Sequence, residues 1–245
     1  MSVDFFTEKW FSDLIEWPEL LQVSFSGGRT SALMSYLIQK YAPPTTALSF
    51  VFSNTGLEHP DTLRFVDDCD KAWNLNLVWV EAVIRGAGTG TTFKVVDYQS
   101  ASRNGEPFEA VIQKYGLPNP AFKTCTKELK TRTITAHGKF VWPGRKFCKA
   151  IGIRADEPKR ISPNAKTDRI VYPLHDWWPT QKEEVLDFCS GLPWDLKIPA
   201  YLGNCVTCFH KTDKKLALVY RDSPDWFEPF SRYEELYATT NNKQR

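Results

Sequence analysis

"SFSGGRTSA", residues 24–32, follows the apolar run Leu20-Leu21-Gln22-Val23 and precedes Leu33-Met34-Ser35-Tyr36-Leu37-Ile38, whose apolar spacing suits a helix. A Gly-Gly-Arg turn thus joins a strand to a helix. Paired glycines permit positive φ and close backbone approach, and the amides that open the helix lack intrahelical partners and sit at the positive end of its dipole. An anion is the natural occupant of such a turn, although glycines also join strands to helices without binding anything. The stretch does not follow the pattern of a Gly, four residues, then Gly-Lys-Ser/Thr, so a phosphate held here is held by a different loop.

Downstream, "TALSFVFSN" (46–54) reads as a buried strand and "HPDTLRFVDDCDKAWN" (59–74) as a helix with Pro60 in its first turn. "LNLVWVEAVI" (75–84) is a third strand, "KFCKAIGIRADE" (146–157) resumes the sheet, and "RIVYPL" adds a short strand. This alternation predicts an α/β fold with a doubly wound, mostly parallel, Rossmann-like sheet and ligand sites at the carboxyl ends of its strands. Residues 85–120 interrupt it. Gly86, Gly88 and Gly90 do not form Gly-x-Gly-x-x-Gly and read as a mobile loop, with a lid over a nucleotide as a further reading, before a helix at "PFEAVIQKYG". From about residue 180 the chain reads as helices around a turn at Gly203. The expected organisation is a nucleotide-binding α/β domain over 1–178 and a small helical C-terminal region over 179–245 carrying Cys205 and Cys208.

At 245 residues the chain can bury a full core. No apolar run approaches the length of a membrane span, and "MSVDFFTEKW" lacks the plan of a signal peptide, so a cytoplasmic location and no membrane partner are expected. Six cysteines there argue for metal, cluster or redox roles rather than disulfides. Cys69 and Cys189 fall in predicted helices and read as packing thiols. The formal charge is +2 and the pI about 8.1, below the footprint of a dedicated nucleic-acid binder. The average hides a polarity: Lys123, Lys127, Lys130, Arg132, Lys139, Arg145, Lys146 and Lys149 stand against Glu128 alone, a +7 segment in a chain whose remainder sums to −5. That is a solvated basic face or a surface that gathers a polyanion. Cys205 and Cys208 have the two-residue gap that puts two sulfurs on one metal or cluster, beside the basic His210-Lys211.

"SFSGGRTS", "SNTGLEHPDTLRFV", "CTKELKTRTI", "IGIRADEPKR" and "GNCVTCFHK" stand in that order. The combination resembles the phosphoadenosine phosphosulfate reductase-like branch of the PP-loop ATP pyrophosphatases, whose loop typically reads Ser-Gly-Gly-Lys-Asp-Ser. The likeness covers most of residues 20–210. It implies an adenine nucleotide, ATP or phosphoadenosine phosphosulfate, with Mg2+, its phosphates on a loop comprising Ser24, Ser26, Gly27, Gly28, Arg29, Thr30 and Ser31. Asn54, Thr55 and Gly56 match the loop after the second strand, beside the nucleotide. Arg154 matches a phosphate-facing position, where a guanidinium makes paired bonds to oxygens. Arg29, Arg154 and Cys125 are the expected catalytic residues, and Asp156 and Glu157 either hold Mg2+ or cap a turn.

The departures are informative. Arg29 and Thr30 replace the usual Lys and Asp of the loop, which puts the metal position in question, and no cysteine follows Cys208, where sulfonucleotide-reducing relatives carry an attacking thiol. Cys125 heads the segment where cluster-containing relatives carry ligands, so Cys125, Cys205 and Cys208 are expected to bind a 4Fe-4S cluster with one open iron. Structural zinc through the same cysteines and His210 competes, and Cys148 is a further candidate ligand, although its strand position favours packing. The resemblance implies ATP-dependent activation and sulfur transfer to a tRNA or DNA, with a sulfur donor such as a cysteine desulfurase and a homodimer among the expected partners. A sulfonucleotide reductase using an internal cysteine, and a non-catalytic nucleotide-binding module with structural zinc, are the alternatives.

Overall fold

The computed structural model describes residues 15–86, 90–203 and 205–237. The N-terminal "MSVDFFTEKW", Gly88 in the expected lid and Asn204 lie outside them. The element order is β1 (Leu20–Phe25), α1 (Arg29–Tyr41), β2 (Ala47–Asn54), α2 (Pro60–Trp73), β3 (Val78–Ile84), β4 (Thr91–Val96), α3 (Glu106–Tyr115), α4 (Thr133–Val141), β5 (Cys148–Ile151), β6 (Ile170–Val171), α5 (Pro173–Asp176), α6 (Lys182–Ser190), α7 (Asp213–Asp222) and α8 (Glu228–Tyr237).

Among the described residues, six strands form one sheet in the order β4-β3-β2-β1-β5-β6. β1 pairs with β5, and β5 with β6, in parallel, while β4 runs antiparallel to β3. The fold is the α/β architecture with a mostly parallel sheet and flanking helices that the alternation predicts. From β1 the chain winds outward through β2 and β3, and the later strands β5 and β6 lie on the opposite side, so the order reverses between β1 and β5. Open sheets of this kind bind ligands at that reversal, where the connections from two adjacent strands diverge and leave a crevice.

The residues pack into two compact units, each discontinuous in sequence: residues 1–51, 65–77 and 141–196 form the first, and 52–64, 78–140 and 197–245 the second. In the first, Leu21, Val23, Leu33, Leu37, Ile38, Val66 and Ala150 are all fully buried. Tyr36 of α1 packs its ring 5.1 Å from Phe188 of α6 and 5.3 Å from Trp73 of α2. Cys69 and Cys189 are buried in this unit, as expected of packing thiols; burial, with a smaller push from the Asp195 carboxylate, raises Cys189 to about 12. In the second unit, Leu57, Ala82, Phe108, Val111, Ile112, Leu129 and Tyr233 make the core. Tyr233 of α8 is fully buried against Phe108, so the C-terminal helix is part of this core.

The loop reading of residues 85–120 needs correction at 91–96, where "TTFKVV" is the edge strand β4, in register with β3 from Ile84↔Thr91 to Trp79↔Val96. Its β-branched and aromatic residues fit a pleated surface. The glycines before it and its half-exposed position masked the signal, because an edge strand need not be continuously apolar.

Candidate functional site

The SGG turn leaves the end of β1 at the strand-order reversal. Ser24 pairs in register with Ile151 of β5, and Gly152, the next residue of that strand's exit, lies against α1: a Cβ there would stand 3.2 Å from the Ser31 Cα and 3.3 Å from its nitrogen. Gly27 carries the positive φ of the turn, 81°, whereas Gly28 is an extended N-cap with φ −103° and ψ 158°. The first helical bond runs from the Ala32 amide to the Gly28 carbonyl at 3.0 Å. The amides of the first turn therefore have no intrahelical acceptor and open toward the terminus.

Ser31, buried, ties the loop to itself. Its hydroxyl donates to the Gly28 carbonyl at 2.8 Å and accepts from the Ser26 amide and Ser26 hydroxyl, each at 3.0 Å. Ser26 is exposed at the mouth of the turn. Arg29 gives Nε and Nη2 to the two carboxylate oxygens of Asp195 at 2.7 and 2.8 Å, and Nη2 also reaches the Leu196 carbonyl. Arg154 is held the same way by Asp156, at 2.7 and 3.0 Å, and its Nη1 donates to Thr30 Oγ1 at 3.1 Å. The structure thus brings Arg154 to the loop. Asp156 and Glu157 are ion-paired, the first with Arg154 and the second with Arg154 and Arg160, so both carboxylates already have cationic partners.

Asn54, Thr55 and Gly56, in the second unit, organise a loop of their own. Asn54 is fully buried: its amide donates to Glu81 Oε1 at 2.7 Å and to the Ser102 carbonyl at 2.8 Å, and its oxygen accepts from the Gly56 amide. Gly56 has φ 83°, and a Cβ there would meet the Gly105 backbone at 3.1 Å. Glu81 carries no exposed surface yet its carboxyl is held below the ordinary range; burial opposes ionisation, but Lys94 at 2.9 Å, the Ser102 amide and hydroxyl, and Asn54 together outweigh it. A charged residue inside the apolar run "LVWVEAVI" is the signal that could have revealed this network, since a buried carboxylate demands partners.

The same unit holds Cys125, Cys205 and Cys208. Cys125 precedes a π-helical stretch, Thr126–Arg132, that carries Glu128 and Lys130. Cys205 pairs with Glu58 across a short antiparallel bridge, and the Cys208 amide bonds the Cys205 carbonyl at 3.2 Å, closing the Cys-x-x-Cys turn. Lys211 fastens that turn by donating to the Tyr201 and Val206 carbonyls. Lys130 is pulled two ways: burial disfavours its charge, while Cys205, Glu58, Cys125 and Cys208 favour it and raise its pKa. The three expected cysteines would therefore act on this one ammonium when ionised, and the sequence counted it only as one of the cations of the basic segment. Cys205 is pushed up to about 11, chiefly by burial, and Cys125 is raised for the same reason.

As donors, the three thiols suit a soft metal or a cluster. Among the described residues, however, no group of three His, Cys, Asp or Glu is positioned to hold a metal ion. His210 is exposed beside Phe209, 4.4 Å between ring centroids. Cys148 lies in β5 of the other unit, opposite Leu21. The basic segment is likewise divided between the units; Arg132 and Arg145 are ion-paired with Glu128 and Glu19, and Lys123, Lys127, Lys139 and Lys146 are exposed. Among the described residues no helix is long and apolar enough to cross a membrane.

The chain is similar to the uncharacterized nin region protein ORF290 of Escherichia phage lambda, at 36% identity over 204 residues, 82% of this chain and 69% of that one. It is also similar to the uncharacterized protein MJ0973 of Methanocaldococcus jannaschii, at 26% identity over 119 residues, 49% of this chain and 23% of that one. No solved structure matches. The model of the phosphoadenosine phosphosulfate reductase domain matches residues 21–179, from the first strand through the loop, both arginines and Cys125, and the chain belongs to that family of the PP-loop superfamily.

Proposed function

We propose that the protein is a PP-loop enzyme that uses an adenine nucleotide for sulfur chemistry, activating an oxygen of a nucleic acid with ATP and replacing it with sulfur. The observation that carries this reading is the association, within one family member, of a phosphate-type loop with Arg154 at Thr30 and of Cys125, Cys205 and Cys208 in one compact unit. In the loop, first-turn amides and Arg154 would hold the phosphates and stabilise charge that develops on them as pyrophosphate leaves. The target oxygen becomes bonded to AMP. Sulfur at the sulfide level then forms the carbon–sulfur bond as the carbon–oxygen bond breaks and AMP departs with the oxygen.

The thiols are the groups through which sulfur would pass. Cys125, Cys205 and Cys208 would have to draw together to become the ligands of a 4Fe-4S cluster or of zinc, since among the described residues no such group is positioned to hold a metal ion; a cluster would supply an iron on which sulfide could be held. Mg2+ would accompany the phosphates. Asp156 or Glu157 would serve it only after giving up an arginine partner. The second reading, reduction of phosphoadenosine phosphosulfate, is supported by the family match. It would require one of the internal cysteines to supply the attacking thiol.

Anaerobically purified protein incubated with ATP and with phosphoadenosine phosphosulfate, each with and without tRNA or DNA, tests both. Release of AMP and pyrophosphate that depends on the polymer and on added sulfide supports the first reading. Sulfite release driven by a dithiol reductant supports the second, and turnover of neither nucleotide overturns both.

A further inference from the structure

Arg29 begins α1, the position at which a cation is least favourable, because the helix dipole is positive there. No acidic residue occupies the first turn. The carboxylate comes instead from Asp195, 166 residues later, and each group of the pair keeps only 26% of its side-chain surface exposed. The grip is closed on both sides: Arg29 Nη2 reaches the Leu196 carbonyl, and Asp195 Oδ1 also accepts from the Leu196 amide at 2.6 Å. Nε and both protons of Nη2 are therefore committed, and the guanidinium charge is matched by a fork-to-fork carboxylate.

We propose that Asp195 is a positioning residue for the phosphate loop, acting through Arg29, and that Arg29 fastens the opening of α1 rather than neutralising phosphate. This rests on the reading that the loop receives the phosphates of an adenine nucleotide. Thr30 stands where the family loop has its aspartate, and the carboxylate that meets Arg29 comes from outside the loop. Arg29 spends Nε and Nη2 on this grip, whereas Arg154, though itself paired with Asp156 and Glu157, turns Nη1 to Thr30 Oγ1 on the loop and is the guanidinium placed to meet the phosphates. The loop's recognition then depends on amide placement, which the pair fixes, because Arg29 is the first residue of the helix that presents those amides.

Calorimetric titration of the full chain with ATP, for Arg29→Met, Asp195→Asn and the double variant, tests the assignment together with hydrogen exchange of the 27–32 amides. Immobilising one long side chain corresponds to roughly 3- to 10-fold in affinity. Each single variant is expected to weaken binding by about that factor, and the double variant no more than either, because both break the same fastening. The salt dependence of ATP binding should not change, and exchange of the loop amides should quicken. Arg29→Lys, which keeps the charge and the fold but cannot fork, should behave like Asp195→Asn. If Arg29→Met weakens binding far more than Asp195→Asn, or if Asp195→Asn tightens it, Arg29 is a phosphate ligand and the proposal is overturned. Should the parent bind no adenine nucleotide, the functional reading fails by itself. The exchange arm still decides the pair: unchanged loop protection in Asp195→Asn removes the positioning role.

Discussion

Thr55 Oγ1 lies 3.6 Å from Cys205 Sγ while its proton goes to Glu58 Oε1 at 2.8 Å. The hydroxyl has one proton, so toward the thiol it can only accept, and the Cys205 S–H is the donor. Neutral Cys205 therefore belongs to the metal-free fold, consistent with its upward shift to about 11 by burial.

Alkylation of the metal-free protein should follow this. With a pKa of about 11, about 0.1% of Cys205 is thiolate at pH 8, so its labelling is slow and quickens as pH rises toward that value. Loading with zinc or a cluster should release protons in proportion to the thiols bound. Mass-resolved labelling in which Cys205 reacts at pH 8 as fast as an exposed model thiol would contradict the arrangement. Serine at Cys125, Cys205 or Cys208 should each remove bound metal, and full metal retained in Cys125→Ser would exclude a shared centre.

The two loop glycines should differ. Gly27, with φ 81°, pays for a Cβ in the left-handed region, so Gly27→Ala is expected to cost about 1 kcal/mol and to weaken ATP binding. Gly28 is extended and its added Cβ would meet only the Ser26 hydroxyl at an ordinary 3.8 Å, so Gly28→Ala should be mild. Gly152→Ala should be the most damaging, because the backbone of Ser31 has to shift. Thermal melts and titration of the three proteins rank them, and equal effects at 27 and 28 would refute the assigned turn.

Glu81→Gln should destabilise the second unit by about 1–3 kcal/mol, since an amide cannot accept every bond the carboxylate takes from Ser102, Asn54 and Lys94. Its folded pKa lies below the ordinary 4.5, so the stabilisation is present above that value and is lost as pH falls through the depressed folded pKa. Urea midpoints at pH 7 and pH 4 should therefore differ less in Glu81→Gln than in the parent. An equal difference would remove Glu81 from the acid response.

If a nucleic acid docks on the basic segment, its exposed cations set the salt dependence. Charge reversal at Lys123 and Lys127 should lower the slope of log affinity against log salt by about two. Lys130→Gln should leave that slope unchanged while disturbing the thiol group it lies among. A slope that responds to Lys130 as strongly as to Lys127 would place the ammonium on the docking face.

The sequence by itself determined the strand–turn–helix opening, the alternation that makes the sheet, and the family motifs, because each is written in local periodicity or in short contiguous stretches. Only the tertiary structure decided that β4 is a strand, since an edge strand announces itself through its partner rather than through continuous apolarity. It also decided the partners of the charges. Nothing near "PWD" marks Asp195 as the mate of Arg29, because that pairing depends on residues 166 positions apart meeting on folding. Asn54, Thr55 and Ser31 matched family positions, yet their side-chain bonds are largely committed to their own loops, a fact that depends on distance and burial and not on residue type.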